Sequence, residues 1–187
     1  SIGFLMNKYN EKNLLKRIYD VNKNIVLILI NGSTISLPWA NEHIPAIVEA
    51  WYPGQSGGKA IAEVLFGDYN PGGKLPMTFY KGINDLPPFE DYDVRNGRTY
   101  MYFKGEPLYP FGYGLSYTNF KIKNVRLNDT DFSKSDTLQI TFNITNTGLK
   151  YGSEVPQLYI EQNGIKKLKA FKRIFLNKDE SLESSMK

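Results

Sequence analysis

The stretch "NIVLILINGS", residues 24–33, decides the class of fold. Six apolar residues follow Asn24, four of them β-branched, and the run halts at Asn31-Gly32-Ser33. A short continuous apolar run of this kind predicts a strand over residues 24–30 buried on both faces, as in parallel sheets. Upstream, Leu14, Leu15, Ile18 and Tyr19 recur at helical spacing among Lys, Arg and Asn, which predicts an amphipathic helix over residues 11–21. Downstream, a second apolar run at residues 46–51 stops at Tyr52-Pro53-Gly54. Beyond it Ala60, Ile61, Val64 and Leu65 share one face of a helix that Gly67 should end. Helix, strand, linker, strand and helix together spell an α/β unit with a mostly parallel sheet.

The glycines and prolines of residues 49–80 extend that unit. Gly54, Gly57 and Gly58 allow a sharp turn from strand into helix and close helix-on-sheet packing. A phosphate-cradling loop is the competing reading, but "GQSGGK" lacks the required spacing. Asn70-Pro71-Gly72-Gly73 reads as a turn, and Pro76 confines the Leu75 to Phe79 run to a sheet edge or irregular structure. Residues 81–110 are dominated by Pro, Asp, Gly and Tyr without periodicity, an ordered connection whose many aromatics require burial.

After Tyr117 the period becomes two. Phe120, Ile122, Val125 and Leu127, then Leu138, Ile140, Phe142 and Ile144, alternate with polar residues, and Val155, Leu158 and Ile160 follow. Turns are signalled at Asn146-Thr147-Gly148 and Gln162-Asn163-Gly164, the pattern of an antiparallel sandwich. Such a sandwich needs roughly seven strands and about 100 residues. Four or five are legible, so this half reads as incomplete.

Composition narrows the function classes. Mean hydropathy of -0.39 and the lack of a long uncharged apolar run argue against a membrane span. There is no cysteine, hence no disulfide or thiolate metal site. The net charge is +4, and much of the excess lies in residues 166–173, where lysines interleave with Leu168 and Phe171. That interleaving predicts a solvated strand surface rather than a nucleic-acid stripe. His43 is the single histidine, which excludes a triad or metal cluster built on several histidines.

Several long motifs in fixed order carry a resemblance. "AWYPGQSGGKAIAEVLFGDYNPGGKLPMTFY", "LPPFEDY", "GRTYMYF" and "PLYPFGYGLSYTNF" closely resemble the C-terminal part of bacterial glycoside hydrolase family 3 enzymes, the β-glucosidases and β-xylosidases. "ITNTGLKYGSEVPQLYI" and "KKLKAFKRIFL" resemble the fibronectin-type-III-like domain of the three-domain members. The resemblance implies the end of an α/β sandwich domain at residues 1–85, an inter-domain strap at 86–114 and a truncated fibronectin-like domain at 115–187. It implies as well a missing N-terminal β/α barrel bearing an aspartate nucleophile, and a glutamate acid/base in a Glu-Gly-x-Asp-Arg-like loop upstream of Ser1. No catalytic residue, metal or cofactor is then expected in this chain. The implied substrate is a β-linked oligosaccharide or glycoside, neither nucleic acid nor membrane is an implied partner, and a homo-oligomer is open. A periplasmic or extracellular home is favoured over a cytoplasmic one.

Ligands of open α/β sheets lie outside the C-terminal ends of the strands. Residues 31–34 and 51–55 should therefore share one rim, with Trp51 and Trp39 as candidate sugar platforms and Gln55 as a candidate hydroxyl partner. Packing of the two Trp side chains in a core or interface, and capping of the following helix by Gln55, are the structural alternatives. Glu49 and Glu63 read as polar faces of regular elements, Asp68 as a turn residue and Glu90 to Asp93 as part of the strap. Arg98, Tyr100, Tyr102 and Tyr109 are expected to stitch the two halves together. Nothing in residues 120–187 gathers exposed aromatics beside carboxylates, so that half reads as structural rather than as a sugar site.

Overall fold

The structure, a computed structural model, describes residues 2–129 and 137–187, with side chains from Lys12 onward. Helix α1 (Ile2–Val21) reaches further toward the N-terminus than the periodicity predicts and ends where expected. It leads into β1 (Val26–Leu29), which pairs in parallel with β2 (Ala46–Glu49), Val26 opposite Ala46 and Leu29 opposite Glu49. Between them lies α2 (Pro38–His43), a helix too short to show a period. Pro38 opens it, where a fixed φ suits the first turn and no N–H is missed.

Leu37, Ala40 and Ile44 are the buried centre of this half, and Leu15, Tyr19, Ile25, Leu27, Leu29 and Ile47 pack against them. Ile25, Leu27 and Leu29 share one face of β1, while Val26 on the other is 45% exposed. The expectation of burial on both faces is thus corrected. Among the described residues no member of β1 or β2 is fully buried, and an all-apolar strand does not itself supply the layers that would cover it.

Helix α3 (Gly57–Phe66) follows and ends at Gly67, whose φ of 82° is the left-handed conformation that closes a helix without the strain a side chain would bring. The Pro76 segment does not join β1 and β2. It meets the end of the strap, through the Leu75 N–H donating to the Tyr113 carbonyl (2.8 Å) and an antiparallel bridge between Phe79 and Tyr109. Phe79 is 1% exposed there. Within the strap, α4 (Thr99–Tyr102) presents Tyr100 to the later strands.

Among the described residues seven strands occupy the remainder: β3 (Phe120–Leu127), β4 (Ile140–Asn146), β5 (Gly152–Glu154), β6 (Gln157–Gln162), β7 (Ile165–Phe171), β8 (Ile174–Leu176) and β9 (Ser181–Met186). All pairings are antiparallel, in the groups β3-β4-β9, β5-β8 and β6-β7. The expected four or five strands are an undercount, because β5 and β8 are three residues long and β9, "SLESSM", carries little apolar signal. Ile140, Phe142 and Ile144 of β4 meet Ile174 and Leu176 of β8 in one core, with β4 alternating strictly between buried and half-buried. In β3 the expected alternation fails. Ile122, Val125 and Leu127 are 43% exposed or more, and the register shifts between Lys123 and Arg126 around Asn124, whose φ is 52°. A bulge of this kind disrupts the period of two that the pattern presumes. On β7 and just beyond it Lys166, Lys167, Lys169, Lys172 and Arg173 are exposed, which agrees with the strand-surface reading.

Two amides tie distant segments together, Asn146 within the later half and Asn70 between the halves. Buried Asn146 uses its whole capacity: Oδ1 accepts from Thr118 Oγ1 (2.7 Å) and the Gly148 N–H (3.1 Å), and Nδ2 donates to the carbonyls of Lys150 (2.8 Å) and Leu176 (3.0 Å). Asn70, just after α3, donates to the Tyr151 carbonyl (2.9 Å) and accepts from Ser116 Oγ (2.9 Å) and the Tyr117 N–H (2.7 Å). Beside it Gly72 lies so close to β5 that a Cβ would meet the Ser153 carbonyl oxygen at 2.7 Å.

Candidate functional site

Parallel pairing brings the C-terminal ends of β1 and β2 side by side, and the loops that leave them form the rim anticipated from the sequence. Asn31, 1% exposed, donates from Nδ2 to the Ser33 carbonyl (2.7 Å) and to Glu49 Oε2 (3.3 Å). The other carboxylate oxygen, Glu49 Oε1, accepts the Trp51 N–H (3.0 Å). Burial pushes the Glu49 carboxyl above its ordinary range, and the hydrogen bonds from Trp51 and Asn31 pull the other way. Glu49 is therefore half-buried and engaged, not the solvent-facing strand residue expected from its charge.

Trp51 itself has a φ of 52°, an outlier for so bulky a residue. The Glu49 carboxylate holds its N–H while its ring packs edge-on against Phe79 at 6.1 Å. Strain held in place by surrounding contacts is typical of ligand-facing positions. Asn31 Oδ1 is buried and has no partner among the described residues. An orphaned buried acceptor carries a desolvation penalty, a cost held at the rim beside the strained Trp51.

The other sequence candidates separate. Trp39 lies away from Trp51 in a different aromatic group: it stacks on His43 (4.5 Å, 14°), meets Tyr19 edge-on (5.5 Å) and has Lys16 Nζ 5.3 Å from its centroid. His43 Nδ1 sits 2.8 Å from the Trp39 carbonyl. A ring engaged by three partners is packing, which matches the structural alternative for Trp39. Gln55 is exposed in the turn before α3, and the residue at the cap position is Ser56, which makes no side-chain cap bond.

Of the other carboxylates, Glu63 faces Lys59 one turn back on α3 at 3.6 Å. Asp93, half-buried, forks with Arg95, which holds it down at about 2. Arg98 donates to the carbonyls of Asp91 (2.7 Å) and Pro88 (2.9 Å), inside the strap, and so braces that loop rather than bridging the halves. Tyr100 and Tyr109 do reach outward. The Tyr100 hydroxyl accepts the Leu168 N–H of β7 (3.0 Å), and the Tyr109 hydroxyl donates to Asn41 of α2 (2.6 Å).

A second feature escaped the sequence. Tyr151 and Phe175, 56% and 49% exposed, lie nearly parallel (15°) with centroids 6.1 Å apart. They line a cleft of about 320 Å³ together with Asp68, Tyr69, Asn70 and Lys150. The carboxylate of this cleft, Asp68, comes from before residue 120, so the cleft is built by both halves and is legible in neither alone. Pairing of β5 with β8 juxtaposes residues 24 positions apart, and two strands of three residues give no periodicity from which to foresee it.

Residues 4–117 match the glycosyl hydrolase family 3 C-terminal domain. The chain belongs to glycosyl hydrolase family 3. Its similarity to other members of family 3 extends beyond the matched segment. It is 43% identical over 182 residues, 95% of the chain, to a xylan 1,4-beta-xylosidase of Xylanibacter ruminicola, and 35% identical over 91% of the chain to a periplasmic beta-glucosidase of Salmonella typhimurium. The crystal structure of a beta-D-glucoside glucohydrolase from Trichoderma reesei superposes with a TM-score of 0.83 at 26% identity, covering 92% of this chain and 29% of that one. The chain spans 21% and 25% of the length of the two curated family 3 relatives. No helix among the described residues is long and apolar enough to cross a membrane.

Proposed function

We propose that this chain is the C-terminal portion of a retaining, exo-acting β-glycosidase that removes terminal β-linked glucosyl or xylosyl units from plant-type oligosaccharides. The observation that carries this reading is the 43% identity, sustained over 95% of the chain, to a xylan 1,4-beta-xylosidase. In this reading residues 1–85 close an α/β sandwich domain, 86–114 are a strap between domains and 115–187 belong to a fibronectin-III-like sandwich. A barrel outside this chain contributes the aspartate nucleophile, and a loop outside it the glutamate acid/base. Retention requires those two carboxyls about 5 to 5.5 Å apart. Glu49 is committed to Trp51 and Asn31, which favours a supporting role at the rim over the chemistry itself. The periplasmic name of one relative supports placement outside the cytoplasm.

The test is hydrolysis of aryl β-xylosides and β-glucosides by the purified chain and by the longer polypeptide that contains it. Turnover is expected from the second and not from the first. Turnover by the 187-residue chain that disappears in Glu49→Gln would overturn the placement of the catalytic groups.

A further inference from the structure

The cleft over Tyr151 and Phe175 has no part in the site described above. Ile174, Phe175 and Leu176 of β8 alternate buried, exposed and buried, so Phe175 is the outward residue of a core strand. Ser153 pairs with Phe175, and Tyr151 lies two residues before it on the same face, diagonal to the ring. The two rings lie within 15° of parallel, 6.1 Å from centre to centre, and are 56% and 49% exposed. Asn70 fixes its position by donating to the Tyr151 carbonyl, and the Gly72 backbone closes down on Ser153. Around this surface stand the exposed Asp68 carboxylate, the Tyr69 hydroxyl and the Lys150 ammonium.

We infer that this cleft is a binding site for a β-linked oligosaccharide, holding it without cleaving it. A pyranose with equatorial substituents turns its axial C–H bonds to one face. Those hydrogens carry partial positive charge and suit the negative faces of aromatic rings. Its hydroxyls ring the edge, where a carboxylate and an ammonium can accept and donate. A cleft of about 320 Å³ falls within the size of small-ligand sites, with apolar walls and a few polar groups as such sites have. The choice of β-linked sugars rests on the glycosidase reading, while the site itself rests on the ring geometry.

The experiment is titration of the full 187-residue chain with xylotetraose, cellotetraose and maltotetraose, followed by amide and aromatic NMR shifts. Saturable shifts at Tyr151, Phe175 and Tyr69 are expected with the β-linked sugars. Tyr151→Ala and Phe175→Ala should weaken binding by at least about tenfold, with Phe175→Tyr retaining it and the melting temperature of each variant reported alongside. Should an alanine variant fold poorly, saturation transfer from wild-type aromatic protons to the sugar gives the same reading without substitution. No saturable shift with any tetrasaccharide, or binding unchanged in both alanine variants, overturns the site. Maltotetraose binding there in place of the β-linked sugars overturns the ligand class, and the separate hydrolysis assay decides the enzymatic reading independently.

Discussion

Glu49 shows how one buried carboxyl ties backbone strain to pH. Its two oxygens accept from Trp51 and Asn31, and burial raises its pKa, so the folded chain binds this proton more tightly than the unfolded chain does. Between the unfolded value, about 4.3, and the raised folded value the native state carries more protons, and stability falls as pH rises. Glu49→Gln removes that decline. The melting temperature of the variant relative to wild type should become steadily more favourable as pH rises through this window and level off above it. A difference that stays flat with pH would show that Glu49 titrates alike in both states. The Gln side chain sets a donor against Asn31, so one hydrogen bond is lost at every pH, and the slope rather than the offset reads the titration.

At the scale of elements, β4, the turn after it and β8 are joined through a single amide. Asn146 satisfies the Thr118 hydroxyl, the Gly148 N–H and the carbonyls of Lys150 and Leu176. Asn146→Ala leaves four groups without that partner, three of them buried, each buried one with a desolvation penalty of about 1 to 3 kcal/mol when unrelieved by water. We expect a loss of about 3 kcal/mol or more in denaturant unfolding. Asn146→Asp should be at least as damaging above the carboxylate range, because it turns an anion toward two carbonyls, and should recover partly in acid. Equal stability of Asn146→Asp and wild type at neutral pH would refute the account. The strict alternation of β4 made this strand legible from sequence. The hub at its end was not, since "NTG" reads equally well as an exposed turn, and only the pairing partners decide that Asn146 faces inward.

For the whole molecule, what could be read in advance follows the range of the interactions. Helix α3 and its Gly67 stop, the β1 and β2 runs and the β4 alternation depend on neighbours in sequence, and these were foreseen. Helix α2, strands β5, β8 and β9, and the Tyr151 and Phe175 surface depend on partners dozens of residues away, which no local period encodes. Of the candidate site, the rim position was legible, because it follows from parallel topology. The unpartnered Asn31 Oδ1 was not, because burial at a strand end reflects the layers packed around it. The same layers bear on stability. Val21, Phe66, Tyr52 and Phe89 are 73% exposed or more, and β1 and β2 each keep one unpaired edge among the described residues. Apolar surface and open strand edges of this extent favour association. Sedimentation velocity of the purified chain should show mass increasing with concentration. A clean monomer melting sharply above about 60 °C would show that the two halves suffice for each other.

The Asn70 bond to the Tyr151 carbonyl joins residues 81 positions apart. A ribosome adding about 5 to 20 residues per second needs roughly 4 to 16 seconds to make the second partner after the first. Through that interval the turn after α3 has emerged with its amide unanswered, and Phe66, 84% exposed even in the finished chain, stands beside it. The order of synthesis thus leaves the first half waiting on the second, and the nascent chain passes through a defined window in which a chaperone that recognises apolar segments has its best opportunity to bind.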